Sequence, residues 1–424
     1  MHILVITPVY PYPGSPTEGL FNEQHALALT RAGIQVTIVV CKPWLFNGLA
    51  KVWRRYNALA DLPEIEDRNS ISIFYARYFH IPQYRLPHVT VASCVRSILQ
   101  AISRLNLHEA FDLIQVHSCW PVGLAAPLVA RKLIRPFVLT LHIQDEPRLY
   151  TSRRGHSLYR RMIEEASAVI AVGSALERFA NRWGLSLGSG RLRVIPNGVD
   201  LATAIEVLRE VSGRHEGWGN FISVANLWPV KGIELNLRAL ARLAEAGVPW
   251  QTYTVVGDGP ERLRLEKLAR NLGIASRVRF AGRLPHREAL REIARADIFS
   301  LPSWQEAFGV VYLEAMACGK PVIGCWEQGA NDIVRHGIDG LLVAPRDLED
   351  LTEAMKRLVE NEEFARELGK SAKSRAGEFT WERNSNEYLS VYQEVCRVHM
   401  GVGCRETRQQ AIHRYRMQKN SKKD

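Results

Sequence analysis

Two glutamates eight positions apart are the residues best suited to chemistry, and both lie in the segment 300–324, SLPSWQEAFGVVYLEAMACGKPVIG. The segment predicts the end of a strand, a loop that holds Glu306, and a helix that begins near Gly309. Glu314 then lies about two turns into that helix. Two carboxylates placed in this way can accept hydrogen bonds from the hydroxyl groups of one ligand. Either glutamate alone is better explained as an ordinary surface residue, and only the surrounding pattern favours a function.

The start of this predicted helix can bind an anion. Backbone N–H groups in the first turn of a helix have no intrahelical acceptor, and the helix dipole places positive charge there. Just after Phe308, the N–H groups of Gly309, Val310 and Val311 are expected to point towards a ligand. Such a site suits a diphosphate.

A sheet is needed to position these residues, and the first half of the chain alternates β-rich runs with helical stretches. Strands are predicted at 2–7, 35–41, 71–76, 113–117, 137–142 and 168–172. Helices are predicted at 20–31, 93–105 and after Gly173. This alternation predicts an α/β fold with a doubly wound parallel sheet. Ligands of such sheets bind where strands end, so the loops after Thr7, His117, His142 and Val172 form the expected functional edge.

A second alternation follows a looser, glycine-containing segment near 213–219. Its strands are predicted at 221–225, 253–257, 278–281, 298–301 and 321–324. Its helices are predicted at 231–246, 260–272, 286–294, 309–317 and 348–359. We therefore expect two Rossmann-like domains that face a cleft, residues 1–200 and 201–380. A helix within 381–398 is expected to cross back to the first domain, ahead of a basic tail, 399–424.

Length and composition agree with a two-domain enzyme. A chain of 424 residues exceeds the usual size of a single hydrophobic core. Its 46% hydrophobic and 23% charged residues are typical of globular proteins. The seven cysteines are odd in number and lack C-x-x-C spacing, which favours a reducing, cytoplasmic compartment. The N-terminus reads as a first strand rather than a secretory signal, and no apolar run approaches the roughly 18 residues of a spanning helix.

The net charge of +11 predicts attraction to an anionic partner, either nucleotide diphosphates, acidic glycans, nucleic acid or a membrane surface. Charge alone does not choose among these partners. Residues 43–59, PWLFNGLAKVWRRYNAL, could lie in the interface of an anionic membrane, on its cytoplasmic face. The alternative is a helix that packs its aromatic face on its own domain. The basic residues of the tail, 405–424, are most simply a solvated segment.

Several motifs together resemble the family 4 retaining glycosyltransferases of the GT-B type. They are S-x-x-E-x-F-G, the two spaced glutamates, EAMACGKPVI, and the segments VIPNGVD, VVGDGPE, VRFAGRLP and GIDGLLVAPRD. Their order and spacing cover nearly the whole second domain. The resemblance in the first domain is weaker. The resemblance as a whole implies a bacterial enzyme that builds surface polysaccharides or lipid-linked glycans, in which Glu306 touches the transferred sugar and Glu314 reaches ribose hydroxyls.

The resemblance implies cations for the donor phosphates. Lys231, in NLWPVKG at the start of a helix, matches the family's basic residue. A charge-assisted hydrogen bond there is worth roughly 1.5–3 kcal/mol. Many relatives carry Arg where this chain has Asn226, and Arg283 is a candidate substitute. A solvated lysine is the alternative for Lys231.

In the first domain, TLHIQD resembles a segment that brings a histidine beside the donor sugar. His142 would hydrogen-bond the sugar and stabilise a developing oxocarbenium ion. Asp145 would orient the His142 ring or contact the acceptor. Gly19 resembles a glycine that lets backbone approach the donor phosphate or acceptor, with a simple turn as the alternative. Gly257, in the GDGP turn, is expected to face the nucleotide.

The resemblance implies a hexosyltransferase that retains anomeric configuration and moves a sugar from a nucleotide diphosphate sugar to a glycan or lipid-linked acceptor. No cofactor beyond this co-substrate is expected, and no metal, because the histidines are dispersed and no D-x-D ends a strand. Nucleic acid is not expected as a partner. Two alternatives remain: a sugar-nucleotide epimerase or hydrolase on the same fold, and a non-catalytic nucleotide-sugar-binding membrane adaptor.

Overall fold

The computed structural model describes residues 1–44, 62–80, 86–105, 110–142, 153–182, 191–211 and 217–401. The described residues do not include Asp145, the predicted membrane segment beyond Trp44 or the part of the basic tail beyond Gly401. Two compact units are present. The first comprises Met1–Ala171, Ala180–Ile195 and Ser385–Asp424, and the second Val172–Phe179 and Pro196–Asn384. The expected domain limits, 1–200 and 201–380, stay predictions.

Within the described residues, the first unit contains an eight-stranded sheet in the order β3-β4-β2-β1-β5-β6-β7-β8. Its strands are β1 (His2–Thr7), β2 (Gln35–Trp44), β3 (Ile65–Arg68), β4 (Ile71–Phe79), β5 (Leu113–His117), β6 (Phe137–Leu141), β7 (Ala168–Ala171) and β8 (Leu192–Val194). Neighbouring strands are parallel, except that β3 pairs antiparallel with β4. Both faces are covered, because all six residues of β1 are buried.

The first unit's helices are α1 (Leu20–Arg31), α2 (Pro87–Arg104), α3 (Val122–Leu133) and α4 (Arg153–Glu165). The next helix, α5 (Ser174–Arg182), contributes residues to both units. The sequence did not predict α3, because nine of its side chains are buried and a helix buried on most sides has no clear amphipathic period.

The second unit contains a six-stranded sheet of described residues, all parallel, in the order β11-β10-β9-β12-β13-β14. Its strands are β9 (Phe221–Val224), β10 (Tyr253–Val256), β11 (Val278–Gly282), β12 (Ile298–Ser300), β13 (Val322–Cys325) and β14 (Gly340–Val343). Its helices are α6 (Leu201–Glu210), α7 (Ile233–Glu245), α8 (Arg262–Asn271), α9 (His286–Arg295), α10 (Val310–Ala317), α11 (Ala330–Ile333), α12 (Leu348–Glu360) and α13 (Glu362–Ala376). The predicted two α/β units with parallel sheets are confirmed.

The last helix, α14 (Trp381–Gly401), returns the chain to the first unit. From Ser385 onwards it belongs to that unit. Tyr388 and Tyr392 are fully buried in one core cluster with Ile3 and Val5 of β1. The predicted crossing of this helix is confirmed.

The helix expected at 231–246 begins later than predicted. A short 3-10 turn, Pro229–Lys231, comes first, and Gly232 takes a left-handed conformation (φ 73°) before α7 starts. Lys231 therefore lies in a tight turn rather than in the α-helix.

No helix among the described residues has the length and apolarity that crossing a membrane requires.

Candidate active site

Lys231 and Glu306 form an ion pair in the second unit. Lys231 Nζ donates to Glu306 Oε2 at 2.6 Å, and the two side chains are 21% and 14% exposed. The residues are 75 positions apart in sequence. Lys231 follows β9 and Glu306 follows β12, two neighbouring strands of a parallel sheet. Both therefore lie at the carboxyl edge, where ligands of such sheets bind.

The turn that carries Lys231 packs directly on the segment before Glu306. A Cβ atom on Gly232 would lie 2.4 Å from the Pro302 carbonyl oxygen, so only glycine permits this approach. The Trp304 N–H donates to the Val230 carbonyl at 3.0 Å. These backbone contacts hold the ammonium and the carboxylate at one place.

The Glu306 loop is held by a second segment as well. The Glu306 N–H donates to Gln328 Oε1 at 3.3 Å, and its carbonyl accepts from the Gly329 N–H at 3.0 Å. A Cβ atom on Gly329 would lie 2.4 Å from the Phe308 backbone. Because the loop is fixed from both sides, the carboxylate is positioned before any ligand arrives.

Beside this pair, α10 begins with an uncapped first turn. Gly309 is left-handed (φ 88°) and no side chain caps the helix. The Tyr312 N–H makes the first hydrogen bond of this turn, which it donates to the Gly309 carbonyl at 3.0 Å. The N–H groups of Gly309, Val310 and Val311 precede it and have no intrahelical acceptor. A Cβ atom on Gly309 would lie 3.2 Å from Glu306 Cγ, so this helix start adjoins the ion pair.

Glu314, in the second turn of α10, is paired with a histidine that the sequence did not single out. His286 Nε2 donates to Glu314 Oε1 at 2.7 Å. Burial lowers the pKa of His286, but the hydrogen bond to Glu314 and the charges of Glu314 and Asp200 outweigh burial, so the net pKa is raised. The sole sequence signal was its place at the start of α9, directly after β11 and the VRFAGRLP motif. The pair fixes one carboxylate oxygen of Glu314.

The first unit has its own polar cluster at the carboxyl edge of its sheet. His117 Nδ1 and His142 Nε2 share a hydrogen bond of 2.6 Å. His142 is 7% exposed and its ring packs 4.6 Å from that of Phe21. Burial, with the nearby His25, lowers the pKa of His142 to about 3, and burial holds the pKa of His117 well below its ordinary value. Both imidazoles are therefore neutral at physiological pH.

The other predicted residues differ in what they offer a ligand. Asn226 and Arg283 are exposed after β9 and β11, at the same edge as Lys231. The Phe308 side chain is 1% exposed, so only the backbone of this residue can contact a ligand. Gly19 and Gly257 are enclosed by the protein itself. A Cβ atom would lie 2.6 Å from Val9 backbone atoms at Gly19 and 1.9 Å from the Ala225 oxygen at Gly257.

Comparisons with known proteins show the family to which the chain belongs. The model of glycosyltransferase family 4 matches residues 21–203, and that of the group 1 glycosyl transferases matches residues 205–375. TuaC of Bacillus subtilis, named for teichuronic acid biosynthesis, is 28% identical over 367 residues, 84% of this chain and 89% of its own. An uncharacterized glycosyltransferase of Methanocaldococcus jannaschii is 30% identical over 322 residues, 75% of this chain and 86% of its own. This chain is a family 4 glycosyltransferase.

The fold of the glycosyltransferase agrees with solved structures. Anabaena HepE, determined in complex with UDP, aligns with a TM-score of 0.69 at 20% identity, and the alignment covers 93% of this chain and all of HepE. Identity at this level supports the two-domain GT-B fold alone. Among the described residues of the glycosyltransferase, no group of three or more His, Cys, Asp or Glu side chains could hold a metal ion. Metal independence stays a prediction.

The raised pKa of His286 predicts a pH-dependent contribution to the stability of the glycosyltransferase. Protonated His286 binds Glu314 more strongly, so this stabilisation is full below the unfolded pKa, about 6.5. It is lost as pH rises through the higher folded pKa. We expect His286→Gln to lower the free energy of unfolding by about 1 kcal/mol at pH 6 and by less at pH 9. Urea unfolding at both pH values measures this.

The control is His88→Gln, at an exposed position of α2. It should change the free energy of unfolding little at either pH. An equal effect of His286→Gln at pH 6 and pH 9 would show that the ionised pair contributes nothing.

The histidine pair of the glycosyltransferase predicts a specific tautomer. His117 Nε2 is buried without a hydrogen-bond partner. A buried N–H without an acceptor is costly, so His117 should carry its proton on Nδ1 and donate it to His142. His142 then carries its own proton on Nδ1. We expect histidine ¹⁵N shifts to report the Nδ1–H form of His142.

Two variants separate positioning from packing. His117→Phe keeps an aromatic ring but removes the donor, so His142 should move towards its commoner Nε2–H form and sugar transfer should fall about tenfold. His117→Asn retains an amide donor near Nδ1 and should keep most of the activity. If both variants leave the His142 spectrum unchanged, His117 does not set the tautomer.

Proposed function

We propose that this glycosyltransferase moves a hexose from a nucleotide diphosphate sugar to a glycan or lipid-linked acceptor, with retention of anomeric configuration and without a metal or other cofactor. One observation carries the proposal. In the second unit, an ammonium and a carboxylate 2.6 Å apart adjoin the uncapped start of α10. A helix start and an ammonium together suit a diphosphate, and the carboxylate beside them suits sugar hydroxyls.

In this proposal the diphosphate binds the N–H groups of Gly309, Val310 and Val311 and draws the Lys231 ammonium onto its oxygens. Glu306, released from part of its ion pair, accepts hydrogen bonds from the sugar. Glu314 accepts from ribose hydroxyls through the carboxylate oxygen that His286 leaves unused. Asn226 and Arg283, exposed at the same edge, are further candidates for contacts with the donor.

The chemical step exchanges one bond for another on the same face of the sugar. The bond from the anomeric carbon to the departing phosphate oxygen breaks as the acceptor oxygen approaches. That phosphate takes the acceptor's proton, so no protein nucleophile is required. Lys231 and the amides of α10 stabilise charge that gathers on the diphosphate. His142, which is neutral, contributes a hydrogen bond to the sugar rather than a proton.

The named relatives suggest the substrate class. TuaC is named for teichuronic acid biosynthesis, and HepE was determined with UDP. We therefore propose a UDP-sugar donor and a surface polysaccharide or lipid-linked acceptor. We also propose that the protein acts at the cytoplasmic face of a membrane.

The deciding experiment has two stages. Thermal-shift assays against UDP, GDP and ADP sugars should show one base that raises the Tm most, because a ligand that binds only the folded state stabilises it. NMR of the product formed with that donor should then show the donor's anomeric configuration, with EDTA present. An inverted product, a strict need for Mg²⁺ or Mn²⁺, or a stable sugar adduct on Glu306 would each contradict the mechanism. Release of an altered free sugar without acceptor would indicate an epimerase or hydrolase.

A further inference from the structure

A cavity of about 390 Å³ lies within the second unit, away from the Lys231–Glu306 pair. Its wall includes Gly319, Lys320 and Pro321, which precede β13. The cavity therefore opens at the amino edge of the parallel sheet, whereas Lys231 and Glu306 lie at the carboxyl edge. Neither the family models nor the proposed reaction assigns a role to this edge.

Basic side chains dominate the charged wall of this cavity. Lys320, Lys370, Lys373 and Arg366 line it, against the single carboxylate of Asp297. That carboxylate is already engaged, because Asp297 Oδ2 accepts from the Asn220 backbone N–H at 3.0 Å and from Asn220 Nδ2 at 2.8 Å.

The fold brings these cations together by a close backbone approach. A Cβ atom on Gly369 of α13 would lie 2.3 Å from the Gly319 carbonyl oxygen, so the helix packs directly on this turn. Lys370 and Lys373 follow on α13, one turn apart. Lys320 Nζ is held beside them by a 2.7 Å hydrogen bond to the Ala294 carbonyl.

The charges of Lys370 and Lys373 on α13 are not offset by an ion pair within the described residues. Both are exposed and neither forms an ion pair with a described carboxylate. Like charges three positions apart on a helix repel one another. An anion between them and Lys320 would relieve this repulsion and gain charge-assisted hydrogen bonds.

The rest of the wall is held by contacts of its own. Arg366 Nε donates to Glu362 Oε1 at 2.7 Å, so this guanidinium is already paired, and it lies 4.9 Å over the Trp218 ring, whose Nε1 donates to the Leu358 carbonyl at 2.9 Å. Burial raises the pKa of Cys318 to about 12, so its thiol stays uncharged. The Lys320 backbone N–H donates to the Ala315 carbonyl at 3.0 Å, which satisfies one of the last acceptors of α10. The site is therefore preformed for an anion.

We propose that this cavity binds a small phosphorylated compound, at a second anion site separate from the donor site. The three ammonium groups of Lys320, Lys370 and Lys373 suit the clustered oxygens of a phosphate or diphosphate group. The inference does not depend on the proposed function, since it rests on residues of the opposite sheet edge.

Calorimetric titration with inorganic pyrophosphate tests the proposal. The Lys231→Ala protein is the background, so that the donor site contributes little. In that background, adding Lys370→Gln and Lys373→Gln together should weaken pyrophosphate binding about tenfold or more. Replacing both lysines with arginine should preserve binding. Lys267→Gln, at an exposed position of α8, is the matched control and should have little effect.

Each result of these titrations either supports or overturns the proposed anion site. Unchanged pyrophosphate affinity in the double glutamine variant would overturn the site. An equal loss in Lys267→Gln would assign binding to diffuse surface charge and also overturn it. A lower Tm of the double variant with unchanged affinity would give the lysines a role in helix stability alone. Parallel titrations with inorganic phosphate and glucose 6-phosphate show whether a single phosphate suffices.

Discussion

Lys231→Ala is expected to lower kcat for sugar transfer about 100-fold or more. The ammonium would be lost where negative charge gathers on the departing diphosphate. Glu306, which is 14% exposed and 2.6 Å from Lys231 Nζ, would also be left without its partner, beside an anion. Steady-state kinetics with the donor found by thermal shift measure the change.

Two controls test the interpretation of this result. Lys231→Arg keeps the positive charge and should retain much more activity than Lys231→Ala. Lys267→Ala removes an exposed lysine of the same unit and should leave kcat unchanged. If Lys231→Ala retains full kcat, this ion pair is a structural contact and the proposed donor site is wrong.

Glu306→Gln is expected to lower kcat about 100-fold, with a smaller effect on donor affinity. The amide keeps the shape of the side chain but removes the charge that accepts hydrogen bonds from the sugar and counterbalances Lys231. Donor affinity by calorimetry and kcat by product formation separate the two contributions. A fall in affinity with an unchanged kcat would assign Glu306 to binding alone.

The double variant Lys231→Ala, Glu306→Gln extends this second test. The two side chains share one hydrogen bond, so their effects on kcat should not multiply. The double variant should be less impaired than the product of the single losses, since it leaves no unpaired charge. Multiplicative losses would indicate that the two residues act independently. The matching control is Glu245→Gln, at an exposed position at the end of α7.

The bounds of strands and helices were predicted correctly where the signal lies in one continuous stretch of sequence. The strands 2–7 and 113–117 and the helix 20–31 have the predicted bounds. A strand buried on both faces is a continuous apolar run, and a surface helix carries its own period. The sequence did not predict β3, and because β3 folds back antiparallel to β4, the first sheet is not parallel throughout as expected.

Contacts between distant residues could not be predicted. The start of α7 depends on Gly232, whose left-handed conformation is set by its approach to Pro302. The partners of Glu314 and His142 are His286 and His117, which lie 28 and 25 positions away. No local period records such pairs, since a sheet edge is assembled only after strands from separate parts of the chain align.

The sequence alone determined the alternation of strands and helices, the family, and the residue types near the end of β12. Glu306, Gly309 and Glu314 carry their spacing in the chain, so one stretch of sequence was sufficient to single them out. The tertiary structure decided that Lys231 meets Glu306 and that lysines gather at the opposite edge of the second sheet. Those placements depend on close backbone approaches at Gly232 and Gly369, and such approaches exist only once the elements have packed.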